Sequence, residues 1–294
     1  MRKPVFHGCA TALATPFTDS SELDLEAFER LINRQLANGV SALCVCATTG
    51  ECATLSDREI ETLIKTAVKL ADKRVPVIAG VGRNSTEKTL YLSQMAEELS
   101  ADALLAVTPY YNKTTQRGLI EHYFYIADRV KTPIIVYNVP SRTGMTVRPE
   151  TYASLAAHPM ICGAKEASGD ISAIAEAISA APRDFAFYSG NDDQTVPVYS
   201  LGGCGVISTV SNLVPFEMSE LCRLFENGKT EKAAVLQKDL LPLISAVFAE
   251  TNPIPLKAAL AQMGLCREIL RLPLVPAGRE TREKIKNALK AFDK

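Results

Sequence analysis

The sequence predicts an α/β protein, a (β/α)8 barrel of the TIM type followed by a C-terminal helical extension. Three observations carry that expectation. Short apolar runs of strand length alternate with longer amphipathic stretches, the pattern of a parallel sheet covered by crossover helices. There are eight such runs, the number that closes a barrel whose working mouth lies at the strand C-termini. From about Pro215 onward the apolar runs stop and only helix-like segments follow.

Taken in order, the first strand is expected at 9–15, and Asp24 just before Leu25 supplies an acceptor to start a helix over 25–38. The second strand, 41–47, leads to a helix over 57–71, where Ser56-Asp57-Arg58-Glu59 has the spacing of a capping box. The third, 76–80, is followed by Ser85 and Thr86 ahead of a charged first turn, which starts a helix over 86–99. Strands at 103–108, 133–138 and 161–165 alternate with helices at 116–130 and 150–157. A helix over 171–180 then precedes strands at 185–190 and 203–208. Further helices are expected at 217–227, 230–249, 255–263 and 279–292, with Pro273, Pro276 and Gly278 marking a turn before the last. No flexible linker separates them from the barrel, so residues 1–225 are assigned to the barrel and 226–294 to a helical extension packed on it.

At 294 residues and 47% hydrophobic content the chain can bury a full core. A net charge of -1 without a dense lysine or arginine block argues against nucleic acid or an anionic membrane as the main partner, and for small molecules. The first residues carry charge but no long apolar core, and no apolar stretch approaches the ~20 residues that span a bilayer, so a cytoplasmic protein is expected. Cys9, Cys44, Cys46 and Cys162 sit in apolar runs of a large chain and read as reduced core residues rather than a disulfide framework. Cys44-Val45-Cys46 would bring two sulfurs to one strand face, but no second Cys or His pair at ligand spacing accompanies them, and no metal site is expected. His7, His122 and His158 are scattered, which gives little support to histidine-based hydrolysis.

Lys165 ends the apolar run Met160-Ile161-Cys162-Gly163-Ala164, at the tip of what reads as a buried strand. Desolvation disfavours the ammonium form and exposes the lone pair that attacks a ketone to form a Schiff base. A plain ion pair with Glu166 is the competing reading. Tyr137 ends the neighbouring strand, so its phenol faces the same mouth and can relay protons; a tyrosine merely capping the core is the alternative. Thr48-Thr49-Gly50-Glu51 follows the second strand with two hydroxyls and a run of backbone N–H groups, which suits a small carboxylate. Arg142, after the fifth strand, can bind a second carboxylate through parallel hydrogen bonds. Gly80-Val81-Gly82 lacks the third glycine of a dinucleotide site, and the glycines near Gly190 and Gly203 suit close approach of backbone to substrate better than a phosphate site.

These residues lie within Thr15-Pro16-Phe17, Thr48-Thr49-Gly50-Glu51, Thr108-Pro109-Tyr110-Tyr111-Asn112, Tyr137 to Gly144 and Gly163 to Asp170, and the set resembles the dihydrodipicolinate synthase family of the pyruvate-dependent class I aldolases. The likeness continues through Asn252-Pro253-Ile254-Pro255 and Arg271-Leu272-Pro273. It implies a homotetrameric, cofactor-free lyase that condenses pyruvate with L-aspartate 4-semialdehyde in the lysine branch. It also implies that Lys165 forms the Schiff base, that Tyr137, Thr49 and Tyr111 form a proton relay with Tyr111 reaching in from a neighbouring subunit, and that Thr48 and Thr49 bind the pyruvate carboxylate. Arg142 would hold the semialdehyde carboxylate, with Gly190 and Ile207 as backbone neighbours. Some members are inhibited by lysine at an interface pocket; Asn84 and Tyr110 match that pocket, whereas Ile60 and Lys88 depart from it, and a positive Lys88 would repel the inhibitor's ammonium. Weak or absent feedback inhibition is expected. A sialic acid or keto-deoxy-sugar-acid aldolase would share Lys165 and Tyr137 but has less use for Arg142, and a barrel that only binds metabolites would have little reason to keep the whole set.

Overall fold

The computed structural model describes residues 3–292. Eight parallel strands, β1 (Gly8–Ala12), β2 (Ala42–Val45), β3 (Val77–Gly80), β4 (Ala103–Val107), β5 (Ile134–Asn138), β6 (Ile161–Glu166), β7 (Ala186–Ser189) and β8 (Gly205–Ser208), follow one another around a closed barrel in which β8 pairs with β1. The helices are α1 (Leu25–Ala37), α2 (Asp57–Ala71), α3 (Thr86–Glu98), α4 (Gln116–Ala127), α5 (Pro140–Thr143), α6 (Pro149–Leu155), α7 (Ile171–Ala180), α8 (Thr195–Ser200), α9 (Pro215–Glu226), α10 (Thr230–Val247), α11 (Ile254–Gln262) and α12 (Arg279–Leu289). The fold class expected from the sequence is the one observed. The start signals act as read: Asp24 accepts from the Ala27 N–H at 3.0 Å, Ser56 and Glu59 close a reciprocal capping box, and Ser85 accepts from the Lys88 N–H at 3.3 Å. Two short helices escape the sequence pattern. The four residues of α5 are too few to show a period, and α8 carries Pro197 in its first turn, where no N–H is required.

Alternation along the strands divides the core in two. Many inward positions are small, with Ala10, Ala42, Ala103 and Ala186 beside Cys44, Ile135 and Ile207. Outward positions such as Leu43, Val45, Leu104, Val136 and Phe187 carry the larger side chains that meet the helices. Cys44 and Cys46 therefore do not share a face. Strand β2 stops at Val45, Cys46 turns into a positive φ of 56°, and its side chain joins the outer layer.

One irregularity decides which way β6 points. Ile134 pairs with Ile161, but Ile135 pairs with Gly163, so Cys162 is an extra residue that shifts the register. Ile161 faces the outer layer. Without the bulge, Lys165, four residues on, would face outward with it; the shift turns Lys165 inward, in register with Tyr137 of β5.

Beyond β8, α9 packs against β1 and α10, and α10, α11 and α12 pack on one another. The loop at Asn252 and the segment at Arg271 return from this helical region to the barrel mouth.

Candidate active site

Lys165 is 4% exposed, and its Nζ lies 4.5 Å from the centre of the Tyr137 ring, itself 7% exposed. The position over a π face is electrostatically favourable for a cation and leaves the amine next to the phenol's strand end. Among the described residues no carboxylate lies within ion-pair distance of this amine. The pair with Glu166 does not form, because adjacent residues of a strand point to opposite sides. Glu166 turns outward, where it accepts from Asn138 Nδ2 at 2.7 Å, from the Tyr152 hydroxyl and from the Ser168 N–H at 3.3 Å. Burial pushes its carboxyl up, and these donors pull it back.

After β2 the chain makes a single 3-10 turn, Thr48–Gly50, closed by Glu51 in the left-handed region at φ 53°. The turn is held from two sides. Thr15 Oγ1 donates to the Gly50 carbonyl at 2.8 Å, and the buried Glu51 carboxylate meets Lys257 Nζ at 2.5 Å and the Arg271 N–H at 3.1 Å. Thr49 is 2% exposed, and its hydroxyl accepts from Asn252 Nδ2 at 3.0 Å and lies 3.4 Å from Thr209 Oγ1. Thr48 is half-buried and faces open space. Thr49, the hydroxyl expected to relay protons, thus bonds toward the helical region, and Thr48 is the hydroxyl residue on the cavity wall.

That cavity measures about 290 Å³, and its walls include Thr48, Cys52, Tyr110, Arg142 and Asn252. A chamber of about 20 Å³ shares Thr48 and Cys52 with it and extends inward to Tyr137. Lys165 lines neither; its amine reaches the Tyr137 ring that lines the smaller chamber. Arg142 belongs to α5 and donates from Nη2 to the Asn252 carbonyl at 2.9 Å, which aims an otherwise exposed guanidinium along the cavity wall.

Gly190 directly follows β7 and Ile207 lies within β8, and neither is on the cavity wall. A Cβ on Gly190 would lie 2.6 Å from Ala167 Cβ and 2.9 Å from the Glu166 carbonyl, so the close approach is to the β6 backbone, not to substrate. Ile207 is fully buried in the barrel interior. Tyr111 is 92% exposed with φ 68°, a strained conformation for a bulky residue, and does not reach the cavity of its own chain. Tyr110 does line it. Of the other pocket residues, the Asn84 carbonyl accepts from Asn112 Nδ2 at 2.8 Å, Ile60 is 1% exposed on the inner face of α2, and Lys88 Nζ is 2.5 Å from Asp57 Oδ2. Lys88 is therefore paired, and its charge is less available for repulsion than the sequence alone implies.

Three participants were not singled out from the sequence. Asn252 lay in a motif noted only for its likeness, and Lys257 reads from sequence as an ordinary helix lysine. Asp192 is wholly buried, with Oδ2 accepting from the Thr209 and Val210 N–H groups at 3.1 and 3.2 Å, and burial raises its carboxyl. Its signal was limited to a position shortly after a strand end.

The sequence profile of the Dihydrodipicolinate synthetase family matches residues 5–292. The chain belongs to this family. It is 52% identical over 290 residues to a 4-hydroxy-tetrahydrodipicolinate synthase of Thermotoga neapolitana, covering 97% of this chain and 98% of the relative. The crystal structure of dihydrodipicolinate synthase from Thermotoga maritima superposes with a TM-score of 0.96 at 50% identity, covering 98% of each chain. The lysine-bound structure of the enzyme from Cyanidioschyzon merolae superposes with a TM-score of 0.95 at 37% identity, covering 98% of this chain and 99% of that one.

Proposed function

We propose that the chain condenses pyruvate with L-aspartate 4-semialdehyde to give 4-hydroxy-tetrahydrodipicolinate, in lysine and diaminopimelate biosynthesis. Membership of the family and the names of relatives about half identical over nearly the whole chain support the reaction. The observation that carries the chemistry is Lys165, buried without a carboxylate partner and held against Tyr137 at the barrel mouth.

The Lys165 amine adds through its lone pair to the pyruvate ketone, and the carbinolamine loses water to give an iminium. That cation withdraws electrons from the former ketone carbon, so a methyl proton leaves and an enamine forms. The enamine carbon then bonds to the aldehyde carbon, whose oxygen takes a proton and becomes the hydroxyl of the product. The substrate amine, having lost a proton, adds to the iminium carbon. The lysine nitrogen takes the proton that the ring nitrogen gives up, the bond to Lys165 breaks as the ring C=N forms, and the lysine leaves as an amine. The iminium is the electron sink throughout, so neither metal nor organic cofactor is called for.

In this reading Tyr137 and Thr48 pass the protons, with Tyr111 of the partner subunit completing the relay, and Arg142 holds the semialdehyde carboxylate. The pyruvate carboxylate meets the backbone N–H groups of the Thr48-Thr49 turn. The exposed, strained Tyr111 supports an assembly in which a neighbouring copy uses it, and a homotetramer is the form we propose, in the cytoplasm. The departure at Ile60 supports weak or absent inhibition by lysine, and Lys88, paired with Asp57, adds less. The test of the reaction is direct: the protein should consume pyruvate with aspartate semialdehyde and leave sialic acid uncleaved. The opposite pattern would move it to the sugar-acid aldolases.

A further inference from the structure

Asn252 is 7% exposed and touches both halves of the cavity wall: its Nδ2 donates to Thr49 Oγ1 at 3.0 Å, and its backbone carbonyl accepts from Arg142 at 2.9 Å. The remaining polar atom, Oδ1, is buried and has no hydrogen-bond partner. An amide oxygen left unpaired in a protein interior is costly, and a donor from a bound molecule is one way to satisfy it. Here the residue lines the cavity that also holds Arg142 and Thr48.

We infer that Asn252 Oδ1 accepts a hydrogen bond from the amino group of the second substrate, making Asn252 a residue that selects an amino-bearing aldehyde acid over the same acid without the amine. The inference rests on the condensation proposed above and goes further, because it assigns a site to the amino group of that substrate, which had no partner. With the carboxylate on Arg142 and the amine on Asn252, whose carbonyl ties the two together, the aldehyde is oriented by two contacts fixed relative to each other. The choice of an amide over a carboxylate follows from the ring closure. The amine must shed a proton before it attacks the iminium carbon, and an amide oxygen accepts from either form while holding the ammonium less tightly than a carboxylate. A carboxylate would hold the ammonium form and oppose that loss.

The test compares two constants at saturating pyruvate: the KM for L-aspartate 4-semialdehyde and the inhibition constant of succinate semialdehyde, which lacks the amino group. In the wild-type enzyme the amino compound should be favoured by roughly 10- to 100-fold, the range of one hydrogen bond to a charged group. Asn252→Leu, which keeps the volume and loses the acceptor, should lower that ratio at least about tenfold, and Asn252→Asp should preserve it while slowing turnover. A wild-type enzyme that binds both aldehydes equally overturns the inference, and so does a ratio unchanged in Asn252→Leu, which would mean that the residue acts only through Thr49 and Arg142 or offers its NH2 to a carboxylate. A ratio lost in Asn252→Asp also overturns it. Should Asn252→Leu not fold, the wild-type and Asn252→Asp ratios still decide. Failure of the underlying reaction is separate: it would appear first as a wild-type protein that gains no borohydride-trapped adduct with pyruvate.

Discussion

Lys165 and Lys257 are both buried against an aromatic ring, with Nζ 4.5 Å from the centre of Tyr137 and 4.0 Å from that of Phe17. Their surroundings differ in every other respect. Lys257 meets the Glu51 carboxylate at 2.5 Å and donates to the Ile269 carbonyl at 2.7 Å; burial pushes its ammonium below the usual lysine value, and Glu51 pulls it back. Lys165 makes no ion pair among the described residues; the buried Asp192 carboxylate feels its charge without meeting it. One lysine is a structural cation that ties α11 to the turn carrying Thr48 and Thr49. The other has no such tie, and it is the one we propose as the nucleophile. Burial alone does not distinguish a nucleophile; the absence of a competing partner does.

The largest effect should come from Lys165→Ala. Condensation should fall by more than about 10⁴-fold, the scale of losing a nucleophile that works with its neighbours, with the circular dichroism spectrum unchanged. Activity within about tenfold of wild type would erase the distinction between the two lysines. Next in size is Lys257→Met, which strands the Glu51 carboxylate in the interior. Thermal and denaturant unfolding should report a loss of about 3–5 kcal/mol, much of it recovered in the double variant with Glu51→Gln. A single variant as stable as wild type would mean that the pair holds nothing together. The smallest effect concerns the second tie from the helical region, Arg271 to Glu59, at 2.5 Å. The Arg271 guanidinium, with lesser help from Ser56, holds the Glu59 carboxyl down to about 2. Since the folded value lies below the usual one of 4.5, the stabilisation is complete above that pH and fades as pH falls toward 2. Unfolding midpoints followed across that window should decline less steeply in Arg271→Met than in wild type.

The comparison also marks what the sequence could convey. The eight strands were legible because apolar runs between amphipathic helices are a local pattern, and the caps at Asp24, Ser56 and Ser85 were legible because the donors lie three residues away. Lys165 and Tyr137 were legible as strand-end residues, but the inward turn of Lys165 depends on the register shift at Cys162, which exists only relative to β5. The division of labour between Thr48 and Thr49 was hidden for a similar reason, since the hydroxyl of Thr49 is claimed by Asn252, 203 residues away. Lys257 gave no signal at all: a helix lysine reads as solvated until the partner that buries it is known.

The account stands most directly on where pyruvate becomes attached. Reduction with borohydride in the presence of pyruvate, followed by mass spectrometry of the intact chain and of its peptides, should give one reduced pyruvate adduct per chain, on the peptide carrying Lys165 and unaltered in Lys257→Met. An adduct on any other lysine, or none while condensation activity persists, would contradict it.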